Sequence, residues 1–93
     1  MALIHNNVQV QTTSTQIINL PVSVGQSCAV QIYNGHSSAI FVGDKNITTS
    51  GATIGRTIAA SGNLQLWLNG GDQVYAISAA QTAAGAIVIT YSA

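Results

Sequence analysis

Few side chains in this sequence could carry out catalysis. The only carboxylates are Asp44 and Asp72, and there is no glutamate. A glycosidase needs two carboxyl groups at a fixed separation, so a small enzyme would require these two to converge in one pocket. Both aspartates instead follow a glycine, a turn context in which Asp commonly accepts hydrogen bonds from nearby backbone N–H groups. We therefore expect both to form turns.

The remaining candidates for metal binding or nucleophilic chemistry are His5, His36 and Cys28. A single cysteine excludes an intramolecular disulfide and a cysteine-based zinc site. Cys28 is more typical of a small buried hydrophobic residue, and no spacing brings it to a histidine. No phosphate-binding loop, dinucleotide-binding motif or nucleophile elbow occurs. The sequence predicts no catalytic residue, no metal site and no cofactor.

Charge is nearly absent from the chain. Its 93 residues include only two basic and two acidic side chains, 4% of the total with a net charge of zero, whereas an ordinary soluble domain has about 25%. Nucleic acid and anionic membranes are therefore not expected partners. A neutral surface favours association, and Ser, Thr, Asn and Gln lose water at a smaller cost than ions do. These features predict that the protein works within a permanent assembly whose contacts change little with ionic strength.

The sequence also carries no recognisable export or membrane signal. The first seven residues lack a basic region followed by a long apolar stretch. The longest run without a polar side chain, residues 83–89, is far shorter than the ~20 residues that a membrane span needs. We expect synthesis and folding in a reducing cytoplasm.

The residues that must position these side chains are patterned as short strands. Ile, Val and Thr are abundant, apolar and polar residues alternate, and Gly or Asn marks a turn roughly every ten residues. The pattern predicts one domain over residues 1–93, a small antiparallel β-sandwich or jelly-roll-like fold with little or no helix. An extended arm over residues 1–7 is also expected, and residues 44–55 are interpreted as the longest loop or a frayed edge. The predicted strands, seven or eight in all, lie near 7–12, 16–20, 28–33, 39–43, 53–58, 63–69, 73–79 and 86–91.

All five aromatic residues lie in predicted strands: Tyr33, Phe41, Trp67, Tyr75 and Tyr91. Packing in the core or against neighbouring strands is the favoured interpretation for each. The alternative is that Trp67 or a tyrosine anchors a protein interface or stacks on a sugar ring. The one segment suited to sugar binding contains Trp67, Asn69 and Asp72, and this alternative requires Trp67 to point away from the core.

Turn-and-strand motifs recur at residues 41–51 (FVGDKNITTSG), at Gly55, at residues 58–63 (IAASGN) and at residues 71–79 (GDQVYAISA). With these motifs, the sequence resembles small β-sandwich proteins of tailed-phage virions, including capsid decoration (cement) proteins and related head or tail appendages. The resemblance covers roughly residues 29–91, and its motifs are turns and strands without catalytic chemistry.

The resemblance implies a non-enzymatic structural protein on the phage head surface. Such proteins commonly form trimers and join neighbouring capsomers, so the implied partners are further copies of the chain and the major capsid protein. The runner-up is a carbohydrate-binding module of a tail fibre or spike. An N-terminal arm or edge strand could reach a neighbouring subunit by adding to its sheet, with Met1, Leu3, Ile4, Val8 and Val10 as the expected interface residues.

Overall fold

The fold is all-β, as predicted, and contains no α-helix within the residues that the structure describes. The computed structural model describes residues 3–22, 28–49, 51 and 55–92, apart from the side chain of Ser92. The strands are β1 (Leu3–Val8), β2 (Thr15–Asn19), β3 (Cys28–Asn34), β4 (Ile40–Gly43), β5 (Arg56–Ile58), β6 (Asn63–Leu68), β7 (Gln73–Ile77) and β8 (Ile87–Ser92).

The strands pair as one long antiparallel ribbon folded over on itself. β1 pairs with β8, β2 with β7, β3 with β6, and β4 with β5. Two further pairings, β3 with β8 and β4 with β7, join this ribbon into two four-stranded sheets. The first sheet has the order β1-β8-β3-β6 and the second β2-β7-β4-β5. This nested order in two sheets is that of an eight-stranded jelly roll.

Hydrogen bonds continue the ribbon where it passes from one sheet to the other. Between the β1·β8 and β2·β7 pairs, the Thr82 hydroxyl accepts from the Val10 N–H at 2.9 Å. The Thr82 N–H donates to the Val10 carbonyl at 2.9 Å, and Ser78 N–H to the Gln11 carbonyl at 3.0 Å. The backbone N–H and carbonyl of Val10 and the N–H groups of Ser78 and Thr82, all buried residues, are thus paired within the protein, as burial requires.

The next crossing depends on a turn that the sequence predicts at residues 69–72. The Leu20 N–H donates to the Asp72 carbonyl at 3.0 Å, and the Gly71 N–H donates to the Leu20 carbonyl at 2.9 Å. Gly71 has φ +91°, a conformation that glycine adopts without the steric cost of a Cβ atom.

The last crossing is held by Asn34, a polar residue with no exposed surface. Its side-chain amide donates to the carbonyls of Ser38 and Ile58, both at 2.9 Å, and lies 3.2 Å from that of Ala59. Its side-chain oxygen accepts from the His36 N–H at 2.9 Å. One side chain therefore joins the end of β3 to the loop before β4 and to the end of β5.

The core lies between the two sheets and consists mainly of branched aliphatic side chains. In β3, residues alternate between buried and partly or fully exposed, which is the predicted period of two. The buried cluster contains Val10, Ile17, Ile18, Leu20, Cys28, Val30, Ile32, Ile40, Val42, Ile58, Leu64, Val74, Ala76, Ile87 and Ile89.

The N-terminal segment differs from the expectation. A strand was predicted near 7–12 with an extended arm before it, but Leu3–Val8 pair along their whole length with β8 of the same chain. The pairing starts at Leu3, and the segment around Val10 turns into the crossing, where Val10 is fully buried. β5 is also shorter than predicted, and residues 53 and 54 lie outside the described residues.

Candidate functional site

The two aspartates hold turns, as expected. The Asp44 carboxylate accepts from the Asn46 N–H at 2.9 Å, and the Asp72 carboxylate accepts from the Asn69 N–H at 2.7 Å. These are local bonds across two or three residues, which stabilise reversals of the chain.

The cysteine and the histidines do not form a cluster. Cys28 is buried at the start of β3, while His36 follows the opposite end of that strand. Seven extended residues separate the two ends by about 20 Å. His5 is exposed on β1. In the described part of the chain, no group of three His, Cys, Asp or Glu residues could hold a metal ion.

Three of the four charged side chains belong to the second sheet: Asp44 and Lys45 follow β4, and Arg56 lies in β5. The fourth, Asp72, lies in the turn that joins β6 of the first sheet to β7 of the second. The first sheet contains no Asp, Glu, Lys or Arg in any of its four strands.

The outward side of the first sheet forms a surface that we call the uncharged face. The registers align its side chains in rows across the sheet: His5 opposite Thr90, Thr90 opposite Gln31, and Gln31 opposite Gln65. Its members are Leu3, His5, Asn7, Ala29, Gln31, Tyr33, Asn63, Gln65, Trp67, Val88 and Thr90.

Trp67 is the largest apolar side chain exposed on this face. It is 67% exposed, and Leu3 is 77% exposed at the opposite edge of the sheet. The expectation that Trp67 packs in the core is wrong. Leu64, Leu66 and Leu68 occupy the inward positions of β6, which turns Trp67 outward.

The other aromatics are less exposed. Tyr91 packs against the core, and Phe41 and Tyr75 are half-buried. Tyr33 lies on the uncharged face and is 38% exposed. Core packing thus holds for Tyr91 among the five, and Trp67 departs from it furthest.

A shallow depression lies on the same face, over β8. Its volume is about 240 Å³, and its lining is formed by Leu3, Ala29, Gln31, Thr90 and Tyr91. Its lining on β3 and β8 includes the small side chains of Ala29 and Thr90. Trp67 does not line it.

The interface residues predicted from the sequence fall into different environments. Leu3 is exposed, Ile4 and Val8 are half-buried, and Met1 lies outside the described residues. Val10 has no exposed surface, so it is a core residue rather than a contact residue. The expected interface is corrected accordingly.

The residues proposed for sugar binding lie at the end of β6 and in the turn after it. Trp67 and Asn69 are exposed, while Asp72 is half-buried and its carboxylate already accepts a bond within the turn. The ring of Trp67 is therefore exposed and available for stacking, but the carboxylate of Asp72 is already bonded to the Asn69 N–H.

The sequence does not reveal the depression or the row of outward side chains that contains Gln31 and Gln65. The sequence did contain a signal for the orientation of Trp67. In residues 64–68 (LQLWL) leucine occupies every second position, and such a period of two predicts that the leucines face the core and that Trp67 faces outward. Nothing in the sequence indicates that Ala29 and Thr90 are neighbours of Leu3, since that proximity arises from the pairing of β8 with both β1 and β3.

Comparison with protein-family models, curated proteins and solved structures finds no match to this chain. The resemblance to phage decoration proteins therefore remains a prediction. In the described residues, no helix has the length and apolar character needed to cross a bilayer.

Proposed function

We propose that this chain is a non-enzymatic structural protein of a virus particle, a decoration or cement protein. In this proposal it self-associates, as a trimer, on the head surface of a tailed phage. It stabilises the icosahedral shell by bridging copies of the major capsid protein.

The observation that carries the proposal is the uncharged face with Trp67 exposed on it. Exposed tryptophan is costly in water and is enriched among residues that dominate protein interfaces. A sheet whose strands contain no Asp, Glu, Lys or Arg presents little electrostatic repulsion when another subunit docks. These properties fit a surface that is covered in the working state of the protein.

The fold is compatible with this role and does not by itself argue for it. Jelly rolls occur in viral capsid proteins and also in lectins and cupins, so the fold alone is only an analogy. Support comes instead from the uncharged face, and from the finding that the carboxylates of Asp44 and Asp72 both accept hydrogen bonds within turns.

The second candidate is a carbohydrate-binding module of a tail fibre or spike. It is favoured by the exposure of Trp67 and Asn69 at the end of β6, because an exposed aromatic ring beside an amide suits stacking on a sugar. Binding of the purified chain to immobilised glycans, abolished by Trp67→Ala, would favour this candidate over the first.

Electron microscopy of the particle that contains this chain tests the proposal. We expect density for the chain on the outer shell, between capsomers, and crosslinks from it to the major capsid protein. Density confined to a tail fibre or spike would contradict the proposal.

A further inference from the structure

We propose that Asn69 is a site of spontaneous chemical modification, at which the side-chain amide is lost by deamidation in the folded protein. Two asparagines in the chain are followed directly by a glycine, Asn34 by Gly35 and Asn69 by Gly70. A following glycine favours the reaction, because a residue without a Cβ atom lets its backbone nitrogen approach the asparagine side chain closely. The structure distinguishes the two pairs, and the proposal is independent of the function proposed above.

The reaction at Asn69 needs only the chain and water. The Gly70 backbone nitrogen gives up its proton and attacks the Asn69 Cγ, so that a C–N bond forms. The bond from Cγ to the amide nitrogen breaks, and ammonia leaves with the proton, which closes a five-membered succinimide ring. Water then opens the ring at one of its two carbonyls. Opening at one carbonyl leaves aspartate, and opening at the other leaves isoaspartate, in which the backbone runs through the former side chain.

The fold protects the first pair. Asn34 has no exposed surface, and its side-chain amide donates to the carbonyls of Ser38 and Ile58, both at 2.9 Å. The nitrogen that would attack is also held, because the Gly35 N–H donates to the Ala86 carbonyl at 2.9 Å. Deamidation of Asn34 therefore requires local unfolding that breaks these bonds.

The second pair lies at the surface. Asn69 is exposed and follows the end of β6, where water can reach its side chain. It begins a turn in which the Asp72 N–H donates to the Asn69 carbonyl at 3.0 Å. Gly71 has φ +91° at the third position of this turn, as in a type II turn. Attack on Asn69 therefore requires a rotation within one surface turn and leaves the core closed.

Packing keeps a glycine after Asn69. A Cβ atom on Gly70 would lie 2.5 Å from the Val22 carbonyl oxygen and 2.9 Å from that of Pro21. Backbone atoms at this distance cannot move aside as a flexible side chain would, so a larger residue would displace the turn. The fold therefore maintains a glycine directly after an exposed asparagine.

The product changes both the charge and the turn. A carboxylate at position 69 stands close to the Asp72 carboxylate, which accepts from the Asn69 N–H at 2.7 Å, and like charges repel. In isoaspartate, the carbonyl that accepts from the Asp72 N–H becomes part of a free carboxylate. The same turn bonds the Leu20 N–H and carbonyl at the crossing between the sheets. We therefore expect the converted chain to unfold at a lower urea concentration than the parent chain.

Peptide mapping tests the inference. The purified full chain is incubated at mildly alkaline pH, folded or in urea, and then cleaved with trypsin after Lys45 and Arg56. These are the only lysine and arginine, so Asn34 lies in the peptide 1–45 and Asn69 in the peptide 57–93. In the folded chain we expect Asn69 to convert about 10-fold or more faster than Asn34, and in urea at a comparable rate. Equal rates in the folded chain, or conversion of Asn69 only in urea, overturn the inference.

A pair of variants assigns the new charge to one residue. The net charge of the parent chain is zero, so each conversion makes it negative and shifts the isoelectric point downward. Asn69→Gln keeps an amide but lengthens the side chain beyond the five-membered ring, and should abolish this shift and the loss of stability on ageing. The matched control is Asn63→Gln, at an exposed asparagine of β6 that a leucine follows, and it should age like the parent. An acidic shift that persists in Asn69→Gln contradicts the inference.

Discussion

At the scale of single residues, Asn34 links more of the structure than any other side chain described. It satisfies the carbonyls of Ser38 and Ile58 and the N–H of His36. A buried polar group that loses its partner costs about 1–3 kcal/mol, and Asn34 protects several such groups at once. The sequence predicts a turn at residues 34–36, but the bond to Ile58 spans 24 residues, and no local pattern reveals it.

Substitution of Asn34 should destabilise the fold strongly. We expect Asn34→Ala to lower the free energy of unfolding by about 2–4 kcal/mol, because several buried groups lose their partner. Asn34→Asp keeps an acceptor for His36 but has no amide to donate, so it should also destabilise. Chemical denaturation measures both. The control, Asn63→Ala at an exposed position on β6, should change stability by no more than about 0.5 kcal/mol, and an equally small effect of Asn34→Ala would refute the role of Asn34.

Trp67 shows the limit of residue-level prediction. The general expectation that aromatic side chains pack in the core is wrong for Trp67, although the leucines on either side of it indicate that its side chain points outward. The prediction that both aspartates form turns is confirmed, because a carboxylate beside a glycine bonds its own local backbone. The roles of both aspartates could thus be predicted from their immediate neighbours in the sequence. The exposure of Trp67 follows only from the alternation along the whole of β6.

At the scale of elements, β1 is part of the sandwich. It covers β8 through six aligned residue pairs, and Val8 packs against the core. The positions of most strands could be predicted because alternation and turn residues are local. The start of β1 could not, since its polar central residues, His5, Asn6 and Asn7, obscure the period.

Deletion of residues 1–7 should therefore destabilise the protein as a folded unit. It removes five of the six residues of β1 and exposes the edge of β8, so we expect a lower unfolding midpoint in urea. His5→Ala, at an exposed position of β1, is the control and should leave the midpoint unchanged. A deletion that leaves the midpoint unchanged but abolishes self-association would instead restore the arm hypothesis.

At the scale of the whole molecule, the strands of the first sheet contain no Asp, Glu, Lys or Arg. The composition predicts a neutral surface, but only the topology shows that three of the four charged residues belong to the second sheet and that Asp72 lies in a turn between the sheets. The jelly roll arises from nested pairing of strands far apart in sequence, which periodicity does not specify. The assembly we propose is therefore built on apolar and neutral polar contacts, whose energy depends little on ionic strength.

Sedimentation velocity of the full chain at low and at high salt tests that claim most directly. We predict an assembly at micromolar concentration whose size and stability are nearly the same in both, because few of its contacts are screened ion pairs. A chain that is monomeric under both conditions, or an assembly that dissociates as salt rises, would contradict the account.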